Sequence, residues 1–221
     1  MADKPRVKAP KQRSTPAPGS SDRRRTLLFA GGAALASLAV VVAVVVVVGS
    51  GGGASEENVR ADLVAAGCTL QAVPAQPGAH SVTDPAGTSD KWNTDPPTNG
   101  PHYAETAIFG AYDEPLQLAR VVHNLEHGGV YIFYGDEVSE SVVERLQTFY
   151  DGHQNGTLLA PYPKLGDKVA LGAWVAEGEE AKGYLAKCTE FDEAAFSAFF
   201  SGFQFKGPER FPASALLPGH N

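Results

Sequence analysis

The sequence predicts an α+β (or α/β) domain built on a small mixed sheet with packed helices, preceded by one transmembrane helix. Three observations carry this. Residues 27–48 hold no charge and are dominated by Val, Ala and Leu. Beyond them, segments with a helical period of apolar residues are interspersed with short runs of β-branched and aromatic residues. Both cysteines, Cys68 and Cys188, lie on the far side of the apolar run.

The chain opens with a basic tail, residues 1–25, rich in Lys, Arg, Pro and Ser and without apolar periodicity, a composition that stays disordered. The apolar segment 26–48 is long enough to cross a hydrocarbon core about 30 Å thick. The tail carries a net charge of +6, and residues 26–221 carry −13. Lys and Arg resist translocation, so the expected topology is a cytoplasmic amino terminus and an extracytoplasmic carboxyl domain at the plasma membrane. A cleaved signal peptide has a shorter apolar region and a clear small-residue site. Here Gly52-Gly53-Ala54 is a weak site after a long run, which favours an uncleaved anchor. The membrane is therefore the expected partner. The acidic exported part argues against a nucleic-acid ligand.

Residues 49–55 read as a Gly/Ser linker, and the globular domain as 56–221. Ser55 caps a helix over 56–66, Glu56 and Glu57 suit its positive end, and Gly67 stops it. Residues 74–101 contain six Pro and three Gly, the composition of an irregular loop lying over the domain. Arg120–Leu125 and Val130–Tyr134 read as a pair of strands with Gly128-Gly129 between them. Ser141-Val142-Val143-Glu144 reads as a capping box opening a helix to about Tyr150. Lys168–Val175 alternates as a half-buried strand with Val169, Leu171, Ala173 and Val175 on one side. Asp192–Phe203 reads as a helix placing Phe196, Phe199, Phe200 and Phe203 on one core face. Outside the cytoplasm, two cysteines are most simply one disulfide, Cys68–Cys188.

Chemistry concentrates between residues 95 and 130. The first segment is Asp95-Pro96-Pro97-Thr98-Asn99-Gly100-Pro101-His102-Tyr103. Twenty residues on comes His123-Asn124-Leu125-Glu126-His127-Gly128-Gly129. Three of the six histidines fall here, interleaved with Pro, Gly and one carboxylate. His123 to His127 fits the H-x-x-E-H pattern of inverted zinc peptidases, which needs a helix. The flanking Val runs and the Gly pair point instead to a strand and a turn. Such a setting still lets His102, His123 and His127 converge on a divalent ion, with Glu126 as ligand, supporting partner or base. Three imidazoles suit zinc or copper. Thioether copper ligation is excluded, since the only Met is Met1. Three readings stand side by side: a metal site, a set of histidines that brace loops in a non-catalytic envelope module, and a metal-dependent hydrolase with Glu126 as base. Tyr103 and Tyr112 are expected neighbours. His80, His153 and His220 read as isolated surface histidines.

The blocks Pro96–His102, Gly110-Ala111-Tyr112 and Val122–Gly129 resemble the signature of a bacterial family, the domain of unknown function (DUF) 3105 family. The resemblance covers most of the exported part, from about Cys68 to Pro208-Glu209, and Asn99 stands where the family pattern has Ser. It implies a short cytoplasmic tail, one membrane span and an extracytoplasmic domain. It implies no activity.

Overall fold

The computed structural model describes residues 54–219. The basic tail, the apolar segment, nearly all of the linker and His220 lie outside the described residues. Among the described residues, no helix is long and apolar enough to cross a membrane.

Four helices and six strands form a mixed α+β domain. The strands are β1 (Thr69–Pro74), β2 (Gly110–Ala111), β3 (Val130–Tyr134), β4 (Thr157–Pro161), β5 (Val169–Glu177) and β6 (Glu180–Cys188). They lie in the order β1-β6-β5-β3-β4-β2. β1, β6, β5 and β3 pair antiparallel, whereas β3, β4 and β2 run parallel. A parallel neighbour needs a crossover, and α3 (Glu140–Gly152) supplies it between β3 and β4.

Strand alternation divides the apolar residues into two layers. On β3, Val130 and Ile132 face one side, with α1 (Glu56–Ala65), α3 and α4 (Glu193–Phe203). Tyr131 and Phe133 face the other, where α2 (Leu118–Glu126) packs. The four phenylalanines of α4 are all buried in the first layer, as their spacing predicts. Ser55 caps α1 by accepting from Asn58 N. The disulfide Cys68–Cys188 joins the start of β1 to the end of β6.

Two local expectations are corrected. Residues 118–126 are a helix, not a strand. Leu118, Val121, Val122 and Leu125 stand at i, i+3, i+4 and i+7, and this period outweighs the β preference of adjacent valines. Val121, Val122 and Leu125 are completely buried against the sheet. Gly128, at φ 94°, ends the helix, because an L side chain resists that left-handed conformation. The second correction concerns α3. Its N-cap is Ser139, and the hydroxyl of Ser141 only meets that of Ser139 at 3.1 Å.

The segment 74–101 is irregular, as its composition predicts, but much of it is buried. Thr98 and Asn99 are fully inaccessible. The Asn99 amide accepts from Gln76 N at 2.8 Å and donates to Asn93 Oδ1 at 3.2 Å, tying three turns of the loop together. The shorter hydroxyl of Ser has no such two-ended reach. Gly183 on β6 gives this loop its close seat, since a Cβ there would collide with Thr98 and Asn99.

Candidate metal centre

The site forms where the polar face of α2 meets the loop. On a helix, positions i, i+3 and i+4 share a face. His123, Glu126 and the C-cap residue His127 therefore line up opposite the apolar stripe. Asn124 clamps the helix from another side. Its Oδ1 accepts from Ala107 N and its Nδ2 donates to Ala107 O, both at 2.8 Å and buried.

The loop brings the other rings. Ala79 bridges Pro101, and His102 N donates to Ala79 O at 2.8 Å. This pairing sets His80 beside His102, their ring centroids 4.9 Å apart. His123 lies 4.8 Å from each of them. One ring nitrogen from each of His80, His102 and His123 and one carboxylate oxygen of Glu126 lie within 4.8 Å of one another. His102, His123 and Glu126 are buried and His80 is exposed. Trp174, itself buried, lies in a T-shaped arrangement with His102, ring centroids 6.2 Å apart, and walls the cluster on the sheet side.

The hydrogen bonds fix what these groups offer. His102 Nδ1 lies 2.8 Å from the Gly100 carbonyl, which can only accept, so Nδ1 carries the proton. Its Nε2 is buried and points toward Glu126, with Oε2 at 3.1 Å, yet off the line of a hydrogen bond. A bare lone pair facing a carboxylate there is unfavourable, and either a proton on Nε2 or a bound cation relieves it. His123 Nδ1 is likewise buried and unpartnered. Burial and the neighbouring His127, His102 and His80 rings push the His123 imidazole down to about 4, against the opposing pull of Glu126. Its lone pair is thus free at neutral pH. Burial pushes the Glu126 carboxyl up, but its close polar contact with His102 outweighs this, helped by smaller pulls from the His123 and His80 rings, and holds it below the usual carboxylate range. The cluster therefore presents imidazole nitrogens and one anionic oxygen.

His127 faces a second group. It contacts His123 ring to ring at 4.5 Å, and its Nε2 lies 3.4 Å from Glu209 Oε2. Sequence reasoning placed His127 with His102 and His123 and set His80 apart. The structure instead joins His80 to His102, His123 and Glu126, and joins His127 to His123 and Glu209. No local pattern marks His80 or Glu209, because backbone pairing far along the chain delivers each. His153, read as a surface histidine, is half-buried. It ends α3, with Nδ1 2.8 Å from Phe149 O and its ring stacked on Phe149. Tyr103 and Tyr112 spend their hydroxyls on the carbonyls of Asp84 and Ile108.

Residues 85–214, more than half of the chain, match the family described as Protein of unknown function (DUF3105). The chain belongs to the DUF3105 family. No curated protein and no solved structure matches it. The DUF3105 match takes in α2, His102 and Glu209 and begins just after His80. Both groups thus lie largely within the DUF3105 region, and His80 joins from the segment that precedes it.

Proposed function

We propose that this protein is a membrane-anchored, extracytoplasmic metal-binding domain that holds a divalent transition ion, zinc or copper, through His80, His102, His123 and Glu126. The single observation that carries this reading is the pair of buried, unpartnered ring nitrogens, His102 Nε2 and His123 Nδ1, in a four-donor cluster. Buried polar atoms without partners are rare in folded proteins and cost about 1–3 kcal/mol each. A bound ion satisfies both. The bond from His102 Nδ1 to Gly100 O fixes ring and tautomer as is usual for metal-ligating histidines. Tetrahedral bonds of about 2.0–2.1 Å put donor atoms roughly 3.3 Å apart, so closing this cluster on an ion takes shifts of about 1 Å or less. The apolar segment 26–48 and the charge asymmetry around it support the anchor and its orientation.

The test is metal content of the purified protein after supplementation with Zn²⁺ or Cu²⁺. At least one equivalent is expected, with loss on His102→Ala. Less than about a tenth of an equivalent, unchanged by that substitution, refutes the reading and leaves histidines that only brace loops.

The helical setting of α2 favours a second reading, a metal-dependent hydrolase with Glu126 as general base. Glu126→Gln separates the two. It weakens metal binding where Glu126 is a ligand, and leaves binding intact while abolishing turnover where it is a base.

A further inference from the structure

His123 belongs to two donor groups at once. One comprises His80, His102 and Glu126; the other comprises His127 and Glu209. The ring contacts run in the same order. His123 touches His80 and His102 at 4.8 Å and His127 at 4.5 Å. An imidazole has two ring nitrogens on different edges, so a ring lodged between two donor groups can serve both.

The second group is held in place by the backbone. After α4 the chain folds back over the end of α2 as a strap, residues 204–211. Phe205 N donates to Gly128 O at 2.7 Å, Glu209 N to Glu126 O at 2.9 Å, and Ala176 N to Lys206 O at 2.8 Å. Phe205 adopts a left-handed conformation, φ 60°, to make the turn. Gly207 lies so close to the Glu126 carbonyl and Gly128 N that a Cβ would collide with both. Phe211 lies against the outer face of His127, ring centroids 4.4 Å apart. These contacts fix Glu209 over His127 while its carboxylate stays half-exposed.

We infer that His123, His127 and Glu209 form a second metal position, joined to the first through the His123 ring, so that the protein holds a pair of ions. The chemistry of the donors, two imidazoles and a carboxylate, selects a divalent transition ion such as Zn²⁺ or Cu²⁺. Ligation through both nitrogens converts the His123 ring to an imidazolate, its proton passing to solvent, and sets the ions about 6 Å apart for bonds of ordinary length. The inference rests on the first site and adds a stoichiometry, a partition of ligands and a coupling between the ions.

The experiment is Cu²⁺ titration of the full-length protein in detergent, read by metal analysis and by electron paramagnetic resonance. Two equivalents are expected in the wild type, with integrated spin intensity well below two because the ions are coupled through the ring. Glu209→Gln and, independently, His127→Asn are expected to bind one equivalent with full single-ion intensity. Glu209 is half-exposed, so its substitution leaves the fold intact. One equivalent in the wild type, unchanged in Glu209→Gln, overturns the second position and leaves the first standing. Two equivalents of full intensity overturn the shared ring. No bound copper in the wild type overturns both sites together.

Discussion

Replacing Asn124 by Ala is expected to destabilise the domain without removing a proposed metal ligand. The side chain is fully buried and exchanges two 2.8 Å hydrogen bonds with the backbone of Ala107, itself nearly inaccessible. Truncation strands one N–H and one C=O. Each orphaned buried group costs about 1–3 kcal/mol. Water entering the space of the lost amide recovers part of this, so a net loss of about 3 kcal/mol is expected. For a domain of this size each kcal/mol moves the midpoint by roughly 2–4 °C, giving a fall in Tm of about 6–12 °C. Thermal unfolding followed by circular dichroism measures it. Asn124→Asp keeps the acceptor, loses the donor and buries a charge, so it is expected to fall at least as far. Metal stoichiometry well below the new midpoint should stay at the wild-type value, since Asn124 braces α2 away from the proposed ligands. A fall in Tm below about 2 °C would refute the argument that this clamp fixes the helix.

Other perturbations read other parts of the structure. A Cβ at Gly78 would fall 2.6 Å from Glu126 Oε1 and 2.9 Å from Trp174 Cη2, so Gly78→Ala should displace the carboxylate and weaken metal affinity at least tenfold, measured by chelator competition; unchanged affinity would show that Glu126 is not a ligand. Opening the Cys68–Cys188 bridge with a double Ser substitution frees a loop of 120 residues, worth up to roughly 5 kcal/mol in the chain-entropy model, and the loss is measurable by urea unfolding. Burial pushes Glu56 up, but Tyr184, Arg60 and Lys182 outweigh it and hold its carboxyl below the usual range. A depressed carboxyl stabilises the fold above the unfolded value, about 4.3, and loses that contribution as pH falls through the folded value. Glu56→Gln should therefore cost stability at pH 7 and little at pH 2, a difference visible in paired denaturant titrations.

Much of the architecture was legible in the chain because its signals are local. The Ser55 cap and the apolar spacing of α1 and the Phe stripe of α4 each reflect one element burying one face. By contrast β5, read as half-buried, is covered on both faces because helices pack on either side of the sheet. The helix α2 was misread because two adjacent valines favour a strand, while the four-residue apolar period that decides the matter extends from Leu118 to Leu125. β6 was not legible at all. Its Glu, Ala, Lys and Gly residues have little preference for a strand, and it forms because β1 and β5 flank it and bond its backbone on both edges.

The same division runs through the site. The sequence alone determined that His102, His123, Glu126 and His127 are concentrated in turn-rich chain, and the helical spacing of the last three is a local fact. The grouping of those residues was decided only by tertiary structure. His80 reaches His102 through the bridge between Ala79 and Pro101, and Glu209 reaches His127 through a strap hydrogen-bonded to the end of α2. Neither contact has a periodic signature. Each depends on the free energy of burying the loop and the strap against the finished sheet, a quantity that belongs to the whole fold and to no segment of it.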